Sequence, residues 1–244
     1  MTLNSRKDYI DSEASQGSKS NSLELAHQFV KEIHSDIAPL LQECIIFDSE
    51  KTLGNAPAVE IPNDKLAIAP DIRCTTHEGN VFWFEVKDKS QRFYYPDTGA
   101  DLFQVYGWYN INKHYSEPVF VLFKDPPFDS CIPKTPSEKN LEKFKPRWSK
   151  FNGKPYGAWL SQLLELNNNY PRIFNERSRN QQMPILYFLI SQMQPVTSWQ
   201  ALIDEVDGKN IPDVKETFEA YHNRTNKLLD EDKVRGIIAA LFSK

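Results

Sequence analysis

The stretch Val81-Phe82-Trp83-Phe84-Glu85-Val86-Lys87 decides the reading of this chain. It is dense in β-branched and aromatic residues, which favours a strand. Side chains two apart on a strand share a face. Glu85 and Lys87 therefore project together beyond Val81 and Trp83, while Phe82, Phe84 and Val86 form a core face. Charged groups beside such a core must be paired, metal-bound or placed at the mouth of the sheet. Upstream, His77-Glu78-Gly79-Asn80 reads as a turn, and Leu66 to Thr75 as an extended run leading into it. The two runs form a hairpin. A loop of Glu78-Gly79-Asn80 would pair position 77 with 81 and set Asp71 opposite Lys87, on the face that carries Glu85. A two-residue turn would send Asp71 to the other face unless a bulge intervened. Gly79 suits the three-residue loop, which needs a positive φ near its end.

Outward from the hairpin, Ser22 is a candidate cap for an amphipathic helix with Leu23, Ala26, Val30 and Ile33 on one side. Pro39 ends it, and Cys44-Ile45-Ile46-Phe47 is extended. A polar loop with Gly54, Pro57 and Pro62 follows. After the hairpin, Thr98-Gly99-Ala100-Asp101 looks like a capping box that opens a helix from about Ala100 to Lys113. Pro118 to Phe123 reads as a buried strand. The order helix, two or three strands, helix, strand predicts an α/β core with a mixed sheet flanked by helices. Five prolines between Pro126 and Pro146 mark an irregular connection. Beyond it the pattern predicts a mostly helical extension, with helices at Gly157–Leu166, Met183–Met193, Ser198–Val206 and from Val214 onward. The expected organisation is a flexible leader over 1–21, a core over 22–125, a basic and aromatic segment over 126–156 and the helical extension over 157–244.

Two carboxylates at the mouth of one strand pair make a hard oxygen site, suited to Mg²⁺ or Mn²⁺ rather than zinc. Such an ion can polarise a phosphoryl oxygen and acidify a bound water. A nearby lysine can orient that water and offset phosphate charge. Asp71, Glu85 and Lys87 thus suffice for phosphodiester hydrolysis.

Pro70-Asp71, thirteen intervening residues, then Glu85-Val86-Lys87 resembles the PD-(D/E)xK nuclease superfamily, which includes restriction endonucleases and junction resolvases. The resemblance implies a restriction-endonuclease-like core of helix, three strands, helix, strand. It implies that Asp71 and Glu85 bind Mg²⁺, for which Mn²⁺ can substitute, with the Val86 carbonyl in the shell. It implies that Lys87 serves the attacking water. Many members carry a glutamate on the first helix that faces the metal, and Glu24 matches it best. Some branches carry a Gln-x-x-x-Tyr pattern on the following helix. Gln104 fits, with Trp108 in the Tyr position and Tyr109 next. The expected activity is that of a DNA endonuclease, and the alternative is an inactive DNA-binding or assembly module of the same fold.

Several basic residues are candidate DNA contacts. Lys89 and Arg92 leave the motif strand directly, and Lys143, Lys145, Arg147, Trp148 and Lys150 lie in the densest basic and aromatic stretch. Basic charge interleaved with aromatics suits backbone contact and base stacking. The net charge of −4 argues against a histone-like polycation. No apolar run reaches the roughly 18 residues of a spanning helix, so no membrane partner is expected. Three cysteines far apart in sequence, with no CxxC or Cys/His pattern, fit a reducing cytoplasm and no zinc site. A homodimer is a natural expectation, because cutting both strands of a duplex usually needs two sites.

Overall fold

The structure is a computed structural model that describes residues 16–53, 56–88, 97–124, 154–169, 173–178, 181–190 and 193–214. Helix α1 spans Gln16–Ile37, so Ser22 lies inside it rather than capping it. Its described face buries Phe29, Val30, Ile33 and Ile37, the spacing of an amphipathic helix. Pro39 lacks a donor for further helix, and the chain passes through a 3₁₀ turn at Ala38–Leu40. The strands before the motif are β1 (Glu43–Ile46), β2 (Thr52–Leu53), β3 (Ala56–Ile61), β4 (Lys65–Ile68) and β5 (Ile72–Thr75). The expected loop around Pro57 is therefore largely strand. The expected single run from Leu66 to Thr75 is two strands in two sheets, broken at Pro70-Asp71. Pro70 has no N–H for a ladder, which is where a strand must stop or change partner.

Then come β6 (Val81–Asp88), β7 (Asp97–Asp101), helix α2 (Leu102–Tyr115) and β8 (Val119–Lys124). The helix expected from about Ala100 begins at Leu102, and the residues before it are strand. Last are β9 (Tyr156–Trp159), α3 (Leu160–Asn169), β10 (Ile173–Ser178), β11 (Gln181–Leu189), β12 (Gln194–Pro195) and α4 (Trp199–Asp207).

The central sheet has the order β1-β5-β6-β8-β9-β12, and three-stranded sheets β10-β11-β7 and β2-β3-β4 flank it. Within the central sheet β6 and β8 pair in parallel and every other neighbour is antiparallel. A parallel pair needs a crossover, and α2 lies on the segment that makes it. The fold is thus α/β with a mixed central sheet and four α-helices among the described residues. None of these helices is long and apolar enough to cross a membrane.

Both faces of β6 are covered. Phe82, Phe84 and Val86 join Ile33 and Ile37 of α1 and Ile203 and Val206 of α4 in one cluster. Trp83, Val121 and Phe123 join Val105, Trp108 and Ile111 of α2 and Leu163 and Leu164 of α3 in the other. A strand buried on both faces reads as a continuous apolar run, which is the texture of Val81 to Phe84.

The region expected to be mostly helical is mixed. Ser198–Val206 is helical as α4, with the Ser198 hydroxyl accepting from the Ala201 N–H at 3.1 Å. Gly157–Leu166 divides between β9 and α3. Met183–Met193 is not a helix: Gln181–Leu189 is strand, paired with β7 and β10. A short apolar run such as Ile185-Leu186-Tyr187-Phe188 has no period that separates buried helix from buried strand. β9 and β12 extend the central sheet beyond β8, so this region helps build the main core. Residues beyond 214 lie outside the described part.

Gly107 sets the height of α2 above the sheets. A β-carbon there would meet the Ile68 carbonyl oxygen at 2.7 Å and its amide nitrogen at 2.9 Å. Both obstacles are backbone, so α2 must lift to admit one methyl group. Gly107→Ala is expected to destabilise by about 1–3 kcal/mol, the usual cost of overpacking, despite the roughly 1 kcal/mol gain in helix propensity. Thermal melts check this. An unchanged or raised melting temperature would show that α2 has slack against β4.

Candidate active site

The hairpin β5–β6 brings the motif residues together. Its register pairs Thr75 with Val81 and Ile72 with Phe84. Continued by one position, it sets Asp71 opposite Glu85, not opposite Lys87 as expected. The shift is two residues, an even number, so the face is unchanged. The turn keeps its three residues but sits one position earlier, at His77-Glu78-Gly79: the Thr76 N–H donates to the Asn80 carbonyl at 2.9 Å, and Gly79 has a φ of 84°. The Thr76 hydroxyl donates to Asp207 Oδ1 at 2.6 Å and Asn80 Nδ2 donates to it at 2.9 Å, tying the turn to α4.

Hydrogen-bonded pairs alternate along an antiparallel ladder. Counting from Thr76 and Asn80 makes Asp71 and Glu85 a non-hydrogen-bonded pair, the arrangement with Cα atoms about 4.5 Å apart. The Asp71 backbone is fixed on its other side, where its carbonyl accepts from the Phe47 N–H at 2.8 Å. Its side chain turns inward, and Oδ2 accepts from the Val86 N–H at 2.7 Å.

Glu85 is 4% exposed. Lys87 donates from Nζ to Glu85 Oε1, and to Gln104 Oε1 at 2.8 Å. Gln104 Nε2 lies 3.5 Å from the same Glu85 oxygen, so Gln104 spans the ion pair. The Lys87 ammonium also sits 5.6 Å from the centre of the Trp108 ring, within cation–π reach. Gln104 and Trp108 are one turn apart on α2, which makes that helix the roof over Lys87.

Asp71, Glu85 and Asp101 all act through their charge on the Lys87 ammonium. Burial raises the Asp71 carboxyl above its ordinary range, against opposing help from Lys87, the Val86 N–H and His27. Burial and then the Asp71 charge push Glu85 up to about 8, more than Lys87 can offset. Burial pulls Lys87 down, but Glu85, Asp101 and Asp71 together leave it raised. Without a metal ion the crowding of acids is met by a proton that Glu85 keeps up to about pH 8, a proton that a bound divalent cation would displace.

The structure thus brings together Asp71, Glu85, Lys87 and Gln104. Glu24 lies on α1 one turn before His27, but its side chain is outside the described residues. Lys89, Arg92, Lys143, Lys145, Arg147, Trp148 and Lys150 also lie outside them. Asp101, read from sequence only as part of a cap, acts through its charge on both Glu85 and Lys87. His27 of α1 is exposed yet close enough to bear on Asp71.

Asp71 and Glu85 are the carboxylates here that could hold a metal ion. Among the described residues no group of three or more His, Cys, Asp or Glu side chains is arranged to hold a metal. Magnesium is commonly held by one or two carboxylates with water and substrate phosphate completing the shell. No family model, curated protein or solved structure matches the chain.

Proposed function

We propose that this chain is a magnesium-dependent nuclease with a restriction-endonuclease-like core, hydrolysing DNA phosphodiester bonds as an endonuclease. The observation that carries the reading is the cross-strand meeting of Asp71 and Glu85, with Lys87 on the same face of β6. With β2–β4 and β7 set aside as insertions in other sheets, the order α1, β1, β5, β6, α2, β8 adds support: helix, three antiparallel strands, helix, parallel strand.

Asp71 and Glu85 would hold the ion, which when bound supplies charge for the phosphoryl oxygen and lowers the pKa of water. The Val86 carbonyl suits the same shell. In a strand the N–H and C=O of one residue point to the same neighbour, so the Val86 carbonyl faces the Asp71 side. A continued ladder would bring it an N–H from residue 70, and Pro70 has none. Lys87 orients the attacking water and offers its positive charge to the oxygens that gain charge in the transition state. Gln104 and Trp108 hold the ammonium in place, so Lys87 reaches the reaction already positioned.

The deciding experiment is cleavage of linear, circular, single-stranded and branched DNA with and without Mg²⁺. Magnesium-dependent nicking of a closed circle is expected. No cleavage of any substrate under any metal would remove the enzyme reading.

Asp71→Ala removes a metal-holding oxygen but leaves Lys87 in place. Apparent metal affinity is expected to fall by at least the roughly 10–100-fold typical of losing an outer partner of a metal ligand. Raising Mg²⁺ or Mn²⁺ should restore part of the rate. A rate that is low and independent of metal concentration would place Asp71 in some other role. DNA affinity is expected to hold or tighten, since a carboxylate facing the phosphate has gone.

A further inference from the structure

Cys44 and Cys74 face each other across β1 and β5, with their sulfurs 3.8 Å apart. Both are free thiols. The Phe47 N–H bond to the Asp71 carbonyl marks those two residues as a hydrogen-bonded pair. Three steps along the ladder, Cys44 and Cys74 form a non-hydrogen-bonded pair, with Cα atoms expected about 4.5 Å apart. Two cysteines can be bridged when their Cα atoms lie about 4.4–6.8 Å apart, so this pair falls at the near edge of that window. β1 is four residues long and ends the central sheet, so it can move the small distance needed.

The two sulfurs are not equivalent. Cys74 is fully buried and Cys44 is partly exposed. Hydrogen bonding from Cys74 holds the Cys44 thiol below its ordinary value, against burial. The same bond and burial raise Cys74. Cys44 is thus the more nucleophilic sulfur, and Cys74 is a protonated partner within reach of it.

We propose that Cys44 and Cys74 are an oxidisable dithiol, a modification site that takes a peroxide as oxidant and yields a disulfide clamping β1 to β5. The Cys44 thiolate attacks one peroxide oxygen, the O–O bond breaks, and the departing hydroxide takes a proton to become water. Cys44 is left as a sulfenic acid. The Cys74 sulfur then attacks the Cys44 sulfur. The S–S bond forms, the S–O bond breaks, and the hydroxyl leaves with the Cys74 proton as a second water. Two thiols lose two electrons, and hydrogen peroxide is reduced to two waters. A bridge formed only under oxidant and undone by a thiol is the behaviour expected of a labile, sensing disulfide. The inference stands apart from the nuclease reading, because it rests on β1 and β5 alone.

The test uses the folded full chain exposed to hydrogen peroxide, alkylated without reduction, digested and analysed by mass spectrometry. A Cys44–Cys74 cross-linked peptide two hydrogens lighter than the reduced pair is expected. It should revert with dithiothreitol, persist in Cys131→Ser and vanish in Cys44→Ser. The oxidised protein should melt roughly 5–10 °C higher than the reduced one, because a loop of some thirty residues is closed in its unfolded state. Cross-linking to Cys131, sulfinic acid at Cys44 without a cross-link, or a bridge that appears only in urea would each overturn the proposal.

Discussion

Lys87→Ala is expected to lower DNA cleavage by between about 10² and 10⁴-fold, the range for losing a positioned proton-transfer or charge-stabilising group. Metal and DNA binding should stay near the parent values. The carboxylates of Asp71 and Glu85 remain, and they supply the oxygen atoms that magnesium prefers. Removing the ammonium also frees Glu85 Oε1 from its ion pair, so metal affinity has no reason to weaken. The loss should fall on kcat, because Lys87 acts on water and on charge that develops only in the transition state. Truncation also removes a stem packed near Trp108 and Gln104, which threatens the local fold. Lys87→Met keeps the stem and removes the charge, and it should be as inactive as alanine while melting close to the parent. Single-turnover cleavage and metal titration on both variants separate the outcomes. Parent-rate cleavage by either variant would make Glu85 and Lys87 a structural ion pair and remove the nuclease assignment.

What sequence could reveal here depended on parity more than on register. The hairpin was expected with Asp71 opposite Lys87, and the ladder sets it opposite Glu85. Faces repeat every two residues, so an even error preserves the site and an odd one would have destroyed it. The mixed sheet was legible for a similar reason: β6, α2 and β8 each had a strong and different local pattern. Other features left no local trace. Ile185 to Phe188 is buried through partners far away in the chain, so its strand state is tertiary information. Cys44 and Cys74 are thirty residues apart in sequence and meet only because β1 adds to the edge of the hairpin. Asp101 lacked the spacing of a motif, and its charge matters only because β7 delivers it beside Lys87.

Stability without metal is expected to fall as pH rises from about 5 to about 8, opposite to the usual effect of surface-paired carboxylates. Glu85 is the cause. Its ordinary value is 4.5, and burial with the Asp71 charge lifts it to about 8 in the folded chain. Between those values the folded state holds a proton that the unfolded state has released. Linkage then makes stability decline with pH, by about 1.4 kcal/mol per pH unit where the difference is one full proton. The contribution is complete below the unfolded value and lost above about 8. Asp71, also raised, acts in the same direction. Lys87 is raised from a value already above this window, so it stays charged in both states and adds no slope. Magnesium should reverse the trend. It binds the ionised carboxylates of the folded chain, so its stabilising effect grows as pH rises. Glu85→Gln keeps the shape of the side chain and removes its titration. That variant should show a flatter pH profile, higher stability than the parent near pH 8 without metal, and a much smaller response to magnesium. Thermal melts of both proteins across the window, with EDTA and then with Mg²⁺, give four curves. A parent curve that rises with pH in EDTA, or one parallel to Glu85→Gln, would mean that Glu85 is held ionised by Lys87 and that the buried charge is already balanced without a metal ion.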